Sequence, residues 1–253
     1  MFSRERGDQP AASRLGAGTA PGGPRAVCFD FDGVLADTER LHHQAFAGVL
    51  SGYGLALGWE EYTAQCLGYD DPGLFAAYLP RAGIVPDGPT VQSCVDKKTK
   101  AFEQLAHGAG VLYPGAETVL RTIGGLIPCC VVSMADGGQI RSVLGSAGLL
   151  DGVFTIVAAE DVQAPKPSPE GYMLALARLR EKDPDLNAAD CLVVEDSRPG
   201  TMAGRAAGMT VAAVPTTTDR SLLDAAHLQL EGLQDLLSAD FASRFSAARS
   251  AVR

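Results

Sequence analysis

Two aspartates, Asp30 and Asp32, stand one residue apart behind an apolar run that begins at Ala26, and Gly33 follows at once. In an extended strand, side chains i and i+2 share one face. Both carboxylates therefore project together from the strand's C-terminal end, the edge at which open α/β sheets bind ligands. Gly33 lets the backbone turn away without a Cβ penalty. Taken alone, the pair is equally what an acidic strand end followed by a turn looks like. Three further polar positions tip the balance: Ser133 and the pair Glu195–Asp196 each follow a strand-like run, and Lys166 stands in the rigid loop Pro165–Lys166–Pro167–Ser168–Pro169. If the strands are parallel, their C-terminal ends lie along one edge and these groups meet in one crevice.

The charge of such a crevice dictates its chemistry. Two like charges ~4 Å apart repel by roughly 4 kcal/mol at an effective dielectric of ~20. One lysine does not offset four carboxylates, so either some are protonated or a cation is bound. Hard oxygen donors without His or Cys beside them select Mg2+, whose open coordination positions suit a phosphate ligand. Each residue then has a role. Asp30 is the nucleophile that forms an aspartyl-phosphate, and Asp32 is the general acid/base. Ser133 offers a hydroxyl to a phosphate oxygen. Lys166 is a point charge beside nucleophile and phosphoryl group, and Asp196, with Glu195 next to it, holds the metal. Phosphoryl transfer asks mainly for positioning and charge neutralisation.

The elements that must position these groups follow from the pattern. Strands are expected from Ala26 to an end at Asp30 and Asp32, and at Cys129–Ser133, Gly152–Ala158, Cys191–Val194 and Thr210–Val214. Helices alternate with them, one of them capped by Asp37 or Thr38 and running to about Ser51, others at Ala116–Ile123, Gly137–Gly145, a helix opened by Ser168 and Pro169, and Arg198–Ala207. Helices at Asp219–Ala226 and Glu231–Leu237 close the domain, and the segment after Asp240 reads as a frayed amphipathic helix. Strands alternating with helices imply a doubly wound parallel sheet. Between 59 and 107 the pattern is helical only (Trp59–Leu67, Asp71–Ala82, Thr90–His107), with breaks at Gly68 and Gly83–Pro89. That insert reads as a separate cap over the α/β core. The expected division is a flexible tail over 1–24, a core of 25–40 and 112–240, a cap of 41–111 and a C-terminal tail of 241–253.

The bulk numbers set outer bounds. The chain has 253 residues, 46% hydrophobic and 20% charged, enough for a real core. A net charge of −9 argues against sequence-independent binding to nucleic acid or a membrane surface. No apolar run approaches the ~20 residues of a membrane span. The N-terminal segment lacks a secretory apolar region, and the six cysteines show no CxxC spacing. A reducing, cytoplasmic setting is expected.

The residues resemble a known family. Asp30-Phe-Asp-Gly-Val-Leu-Ala-Asp-Thr-Glu, Ser133, Lys166 and Val194-Glu195-Asp196-Ser197-Arg198-Pro199-Gly200 are similar, in order, to the four motifs of the haloacid dehalogenase superfamily, and the helical insert resembles the cap of its β-phosphoglucomutase/phosphatase branch. The resemblance spans about Arg25 to Leu237. It implies Mg2+ held by Asp30, the Asp32 carbonyl and Asp196, and the second aspartate separates the chain from the superfamily's dehalogenases. Met134 stands where the branch often has Asn, which bears on the substrate contacts of the second motif. The resemblance further implies that His42 couples cap closure to substrate and that Lys98 touches the substrate's non-reacting part. Against these stand a surface histidine beside His43 and a solvated basic face shared by Lys97, Lys98 and Lys100. Gly68-Tyr69-Asp70-Asp71 resembles a substrate-specificity loop and is equally a turn between helices. The resulting expectation is a monomeric, Mg2+-dependent phosphatase of a small phosphorylated metabolite, most simply a sugar phosphate. A β-phosphoglucomutase-type mutase is the alternative. No lysine lies between Gly33 and Asp96, which disfavours a phosphonate hydrolase. A catalytically idle binding module would not need the full motif set.

Overall fold

The computed structural model describes residues 21–66, 69–107 and 110–252. Most of the expected N-terminal tail (1–20), Leu67 and the break at Gly68 lie outside the described residues. Six strands form one sheet: β1 (Ala26–Phe29), β2 (Cys129–Val132), β3 (Thr155–Val157), β4 (Cys191–Glu195), β5 (Thr210–Ala213) and β6 (Leu228–Gln229), in the order β3-β2-β1-β4-β5-β6. Every neighbouring pair is parallel. The register sets Phe29 beside Val131 on one side and Val194 on the other, so the strands that carry the candidate residues end level with one another.

Both faces are covered, as a parallel sheet requires. Val27 and Phe29 pack with Val119 and Leu120 of α5 (Ala116–Gly124) and Ile140 and Leu144 of α6 (Gly137–Ser146). Ala26 and Cys28 face Tyr172 and Ala175 of α7 (Glu170–Arg180) and Ala203 of α8 (Arg198–Ala206). Helix starts obey local chemistry. Asp136 accepts from Gln139 N at 3.0 Å ahead of α6, and Ser197 accepts from Gly200 N at 3.1 Å ahead of α8, satisfying backbone donors that the first turn leaves free.

A third apolar cluster lies in the insert. It joins Phe46 and Leu50 of α1 (Glu39–Ser51), Tyr62 of α2 (Trp59–Gln65), Leu74, Phe75 and Tyr78 of α3 (Asp71–Tyr78) and Cys94 of α4 (Gly88–Ala106). Yet Leu41 and Ala45 of α1, and Phe102 and Ala106 of α4, belong to the sheet cluster. The apolar contacts thus change over part-way along each helix, between Ala45 and Phe46 in α1 and between Cys94 and Phe102 in α4. These two helices join cap to core.

The C-terminal quarter departs from expectation. No α-helix forms over Asp219–Ala226; a 3-10 turn covers Arg220–Leu222 only, and Glu231–Leu237 yields a 3-10 turn at Leu233–Leu237. Between them the chain adds the two-residue strand β6. His227 N donates to Val211 O (2.9 Å) and Leu230 N to Ala213 O (2.8 Å), so the bare edge of β5 recruits backbone that propensity alone leaves unassigned. The segment after Asp240 is not frayed. It forms α9 (Phe241–Arg249), with Phe241 and Phe245 fully buried in the sheet cluster. Burying two aromatic side chains contributes roughly 1.5–3 kcal/mol each, which is enough to dock a helix of weak amphipathicity. Among the described residues no helix is long and apolar enough to cross a membrane.

Candidate active site

Asp30 continues the β1 line. Its N–H donates to Val194 O at 2.9 Å, and the chain then folds back on itself, with Leu35 N and Ala36 N donating to Phe31 O at 2.8 and 3.0 Å. Gly33 turns this corner at φ +81°, and a Cβ there would stand 2.0 Å from Asp196 Oδ2. Glycine is demanded twice over, by dihedral angle and by the carboxylate it touches. At Gly200, inside α8, the demand is steric alone: a Cβ there would sit 1.8 Å from Glu195 Oε1.

Lys166 lies at the centre. Its Nζ donates to Asp30 Oδ1 (2.7 Å), Glu195 Oε1 (2.6 Å) and Val132 O (3.0 Å). The loop that carries it is anchored by Glu170, whose two oxygens accept from Gln163 N and Ala164 N, each at 2.9 Å. Burial works against the ammonium, but the Asp30 and Glu195 carboxylates outweigh it and hold its pKa above the ordinary lysine value. Burial likewise pushes the Asp30 carboxyl well above the usual range, against the pull of Lys166. Asp32 is raised by burial to about 6, opposed by the hydrogen bond from Thr38. Asp196 is raised by burial to about 6, opposed by the hydroxyl of Thr217. Withdrawal from water disfavours the charged form of a carboxyl.

Carboxylate oxygens of Asp30, Glu195 and Asp196 lie within 4.8 Å of one another, the only group of three or more metal-capable side chains found among the described residues. All donors are hard oxygens, with no His or Cys, and the three carboxylates share the single ammonium of Lys166, which pairs with Asp30 and Glu195. The set fits a divalent cation of the Mg2+ type. Its members differ in availability. Glu195 receives five donors: Lys166 Nζ and Tyr172 Oη on Oε1, and Asp196 N, Ser197 N and Ser197 Oγ on Oε2. A carboxylate has about four lone-pair sites, so Glu195 is spent on protein donors while Asp30 and Asp196 keep room. The carboxylate of Asp32 is outside the three-residue group; it accepts from the Thr38 hydroxyl.

Ser133 follows β2, is buried, and accepts from Ala135 N at 3.1 Å. Ser133, Met134, Asp30, Asp32 and Lys166 line a cavity of about 710 Å³ whose far wall includes Glu39, Tyr69 and Asp70. His42 and Lys98 do not line it. Lys98 is fully buried, its Nζ donating to both Asp71 oxygens and to His42 Nδ1, all at 2.9 Å. The solvated-face reading therefore fails for Lys98, though it holds for Lys97 and Lys100, which are exposed. Burial and the Lys98 charge lower His42 to about 3, so the ring is a neutral acceptor; it also packs at a tilt against Phe102, ring centres 4.6 Å apart. His42 is thus a half-buried partner and not a free surface histidine.

Several supporting residues escape a reading of the sequence. Thr38 occupies the N-cap position of α1, but its hydroxyl is spent on Asp32 and makes no cap bond. Thr216 donates to Gly33 O and Thr217 to Asp196. Tyr172 donates to Glu195 at 2.9 Å from α7. Only Tyr172 carried a sequence signal, an aromatic hydroxyl on an otherwise apolar helix face.

Comparison with known proteins agrees with this geometry. Residues 27–214 match the family model of haloacid dehalogenase-like hydrolases. The chain is 30% identical over 203 residues to the protein CbbY of Rhodobacter capsulatus, covering 78% of this chain and 87% of that one. It is 27% identical to (DL)-glycerol-3-phosphatase 1, mitochondrial, of Arabidopsis thaliana, with 83% and 70% covered. Its fold is similar to that of a β-phosphoglucomutase from Clostridium difficile, with a TM-score of 0.69 at 20% identity, covering 91% of this chain and 100% of that one. The chain belongs to the haloacid dehalogenase-like hydrolase family, and its fold is that of the family's β-phosphoglucomutase-like branch.

Proposed function

We propose that the protein hydrolyses the phosphoric monoester of a small phosphorylated metabolite through an aspartyl-phosphate on Asp30. The observation that carries this reading is the Lys166 ammonium held at 2.7 Å from Asp30 Oδ1 and 2.6 Å from Glu195 Oε1 at the head of the 710 Å³ cavity. Lys166 engages Oδ1 and leaves Oδ2 free to attack phosphorus. As the Oδ2–P bond forms, the ester P–O bond breaks, and protonated Asp32 gives its proton to the leaving oxygen. A pKa of about 6 suits that duty, since the group is available in both forms near neutrality. In the second half, Asp32 takes a proton from water, the water oxygen bonds to phosphorus, and Asp30 leaves as carboxylate. Ser133 donates its hydroxyl to a non-bridging phosphate oxygen. Asp30 and Asp196, with the Asp32 carbonyl, would hold Mg2+, which when bound supplies charge neutralisation at the phosphoryl group. Glu195 serves as the anchor of Lys166. The relation to a glycerol-phosphate phosphatase supports a small polyol or sugar phosphate as substrate. The Lys98–His42–Asp71 contact, which ties α4 to α1 and α3, supports a cap that moves as a unit over the core.

The test is Asp30→Asn. Turnover of a phosphate-ester panel with Mg2+ is expected to fall to background while circular dichroism and melting stay those of a folded chain. Retention of most activity would refute the nucleophile.

A further inference from the structure

The cavity over Asp30 is unevenly charged. Among the described residues that line it, Lys166 is the one cation, and it is committed to Asp30 and Glu195. Among the described residues, no cation of the helical insert lines it. Lys98 is buried on Asp71 and His42, Arg40 lies 4.5 Å from the centre of the Trp59 ring, and Arg81 pairs with Glu61 at 2.7 Å. Its lining carries two exposed carboxylates besides, Glu39 at the start of α1, near enough to raise Asp32, and Asp70 ahead of α3, with the half-exposed Tyr69 beside Asp70. Each carboxylate commits one oxygen: Glu39 Oε2 accepts from Tyr62 Oη at 2.8 Å and Asp70 Oδ1 from Gly73 N at 2.8 Å. Among the described residues the other oxygens, Glu39 Oε1 and Asp70 Oδ2, take no donor. Ser133, Met134, Ala135, Pro165, Ser197 and Pro199 complete the lining without charge.

Resting on the phosphatase reading above, we infer that the site selects phosphate monoesters whose non-reacting end carries no second anion, and that Glu39 and Asp70 enforce this. A cation at Asp30 and Asp196 compensates charge at the phosphoryl end only. A second phosphate or a carboxylate beside Glu39 and Asp70 would face two carboxylates with no cation to offset them. Hydroxyls or an ammonium in the same place would find two free acceptor oxygens. The same asymmetry disfavours a mutase, which must seat both ends of a bisphosphate.

The experiment compares kcat/KM, with Mg2+, for four esters of small size: p-nitrophenyl phosphate as reference, glycerol phosphate with a neutral tail, phosphoethanolamine with a cationic tail and phosphoglycerate with an anionic one. The neutral and cationic tails are expected to exceed the anionic one by at least about tenfold, the scale of repulsion from two partly screened carboxylates. The double variant Glu39→Gln/Asp70→Asn keeps both hydrogen-bond acceptors, and Asn retains the capping role at 70. It is expected to narrow that ratio several-fold. Equal rates on glycerol phosphate and phosphoglycerate, with p-nitrophenyl phosphate hydrolysed, overturn the inference and leave the phosphatase reading standing. An unchanged ratio in the double variant overturns the part assigned to Glu39 and Asp70. No hydrolysis of any of the four overturns both.

Discussion

The molecule buries two lysines, and their surroundings differ in a way that separates chemistry from mechanics. Lys166, at the sheet edge, meets two carboxylates and a backbone carbonyl, and its pKa is held up. Lys98, in the cap, meets one carboxylate and a neutral imidazole. Burial dominates there and its pKa is drawn down, with Asp71 opposing. Both ammonium groups are satisfied, so neither is a mistake of folding. Lys166 sits among more carboxylates than its one charge offsets, a deficit that a bound cation would balance. Lys98 closes a local account between α1, α3 and α4 and leaves nothing to add. A buried charge short of neutrality marks a working site; a balanced one marks a joint.

The contrast is tested most severely at Lys166. Lys166→Met leaves Asp30 and Glu195 without their shared cation, and kcat is expected to fall by about 10³-fold or more in a phosphate-release assay. Lys98→Met removes a cap contact and no charge at the phosphoryl group. A loss of about 10- to 100-fold is expected, with single-turnover kinetics placing it in closure and not in phosphoryl transfer. If the two variants lose equal activity, the distinction between site and joint is gone. Thr38→Val sharpens the picture on the Asp32 side. Without that hydroxyl, kcat should drop about tenfold and the apparent pKa of Asp32 in the rate profile should move up, because the bond favours the charged form.

The smallest effect is one of stability. Native Asp196 titrates at about 6, whereas an unfolded carboxyl titrates near 3.9. Between those values the folded chain binds more protons, so this group's contribution declines as pH rises through that window. Metal-free Asp196→Asn is therefore expected to melt a few degrees above the parent at pH 7.5, a difference of about 2 kcal/mol, and level with it near pH 4. Mg2+ should raise the melting temperature of the parent at pH 7.5 and not that of the variant, which extends the contrast: Lys98 and Asp71 should show no such response to metal.

How far the sequence reveals all this depends on what each feature rests on. Asp30, Asp32, Ser133, Lys166, Glu195 and Asp196 are readable because a parallel sheet brings strand ends to one edge, and the strands are announced by apolar runs. The burial of Lys98 is not, because a lysine among Lys97 and Lys100 reads as solvent-facing until Asp71 and His42 are known to lie opposite. Thr216, Thr217 and Tyr172 reach their partners only through tertiary contact, across 21 to 183 residues of chain. Strand β6 has two residues and no pattern to detect, and it exists because β5 offers an open edge. Helix α9 reads as frayed because its amphipathicity is weak, yet buried Phe241 and Phe245 hold it down, with Arg244 bonded to Gln229 O and Arg249 to Asp190.

All six cysteines are free and buried, and they are shared between the two halves of the molecule: Cys66 and Cys94 in the cap, Cys28, Cys129, Cys130 and Cys191 in the sheet. A thiol reagent added to the folded chain is thus a silent clock that starts only when structure opens. Two sulfurs reacting ahead of four would time the loosening of the cap separately from the collapse of the sheet, with no label engineered into the chain.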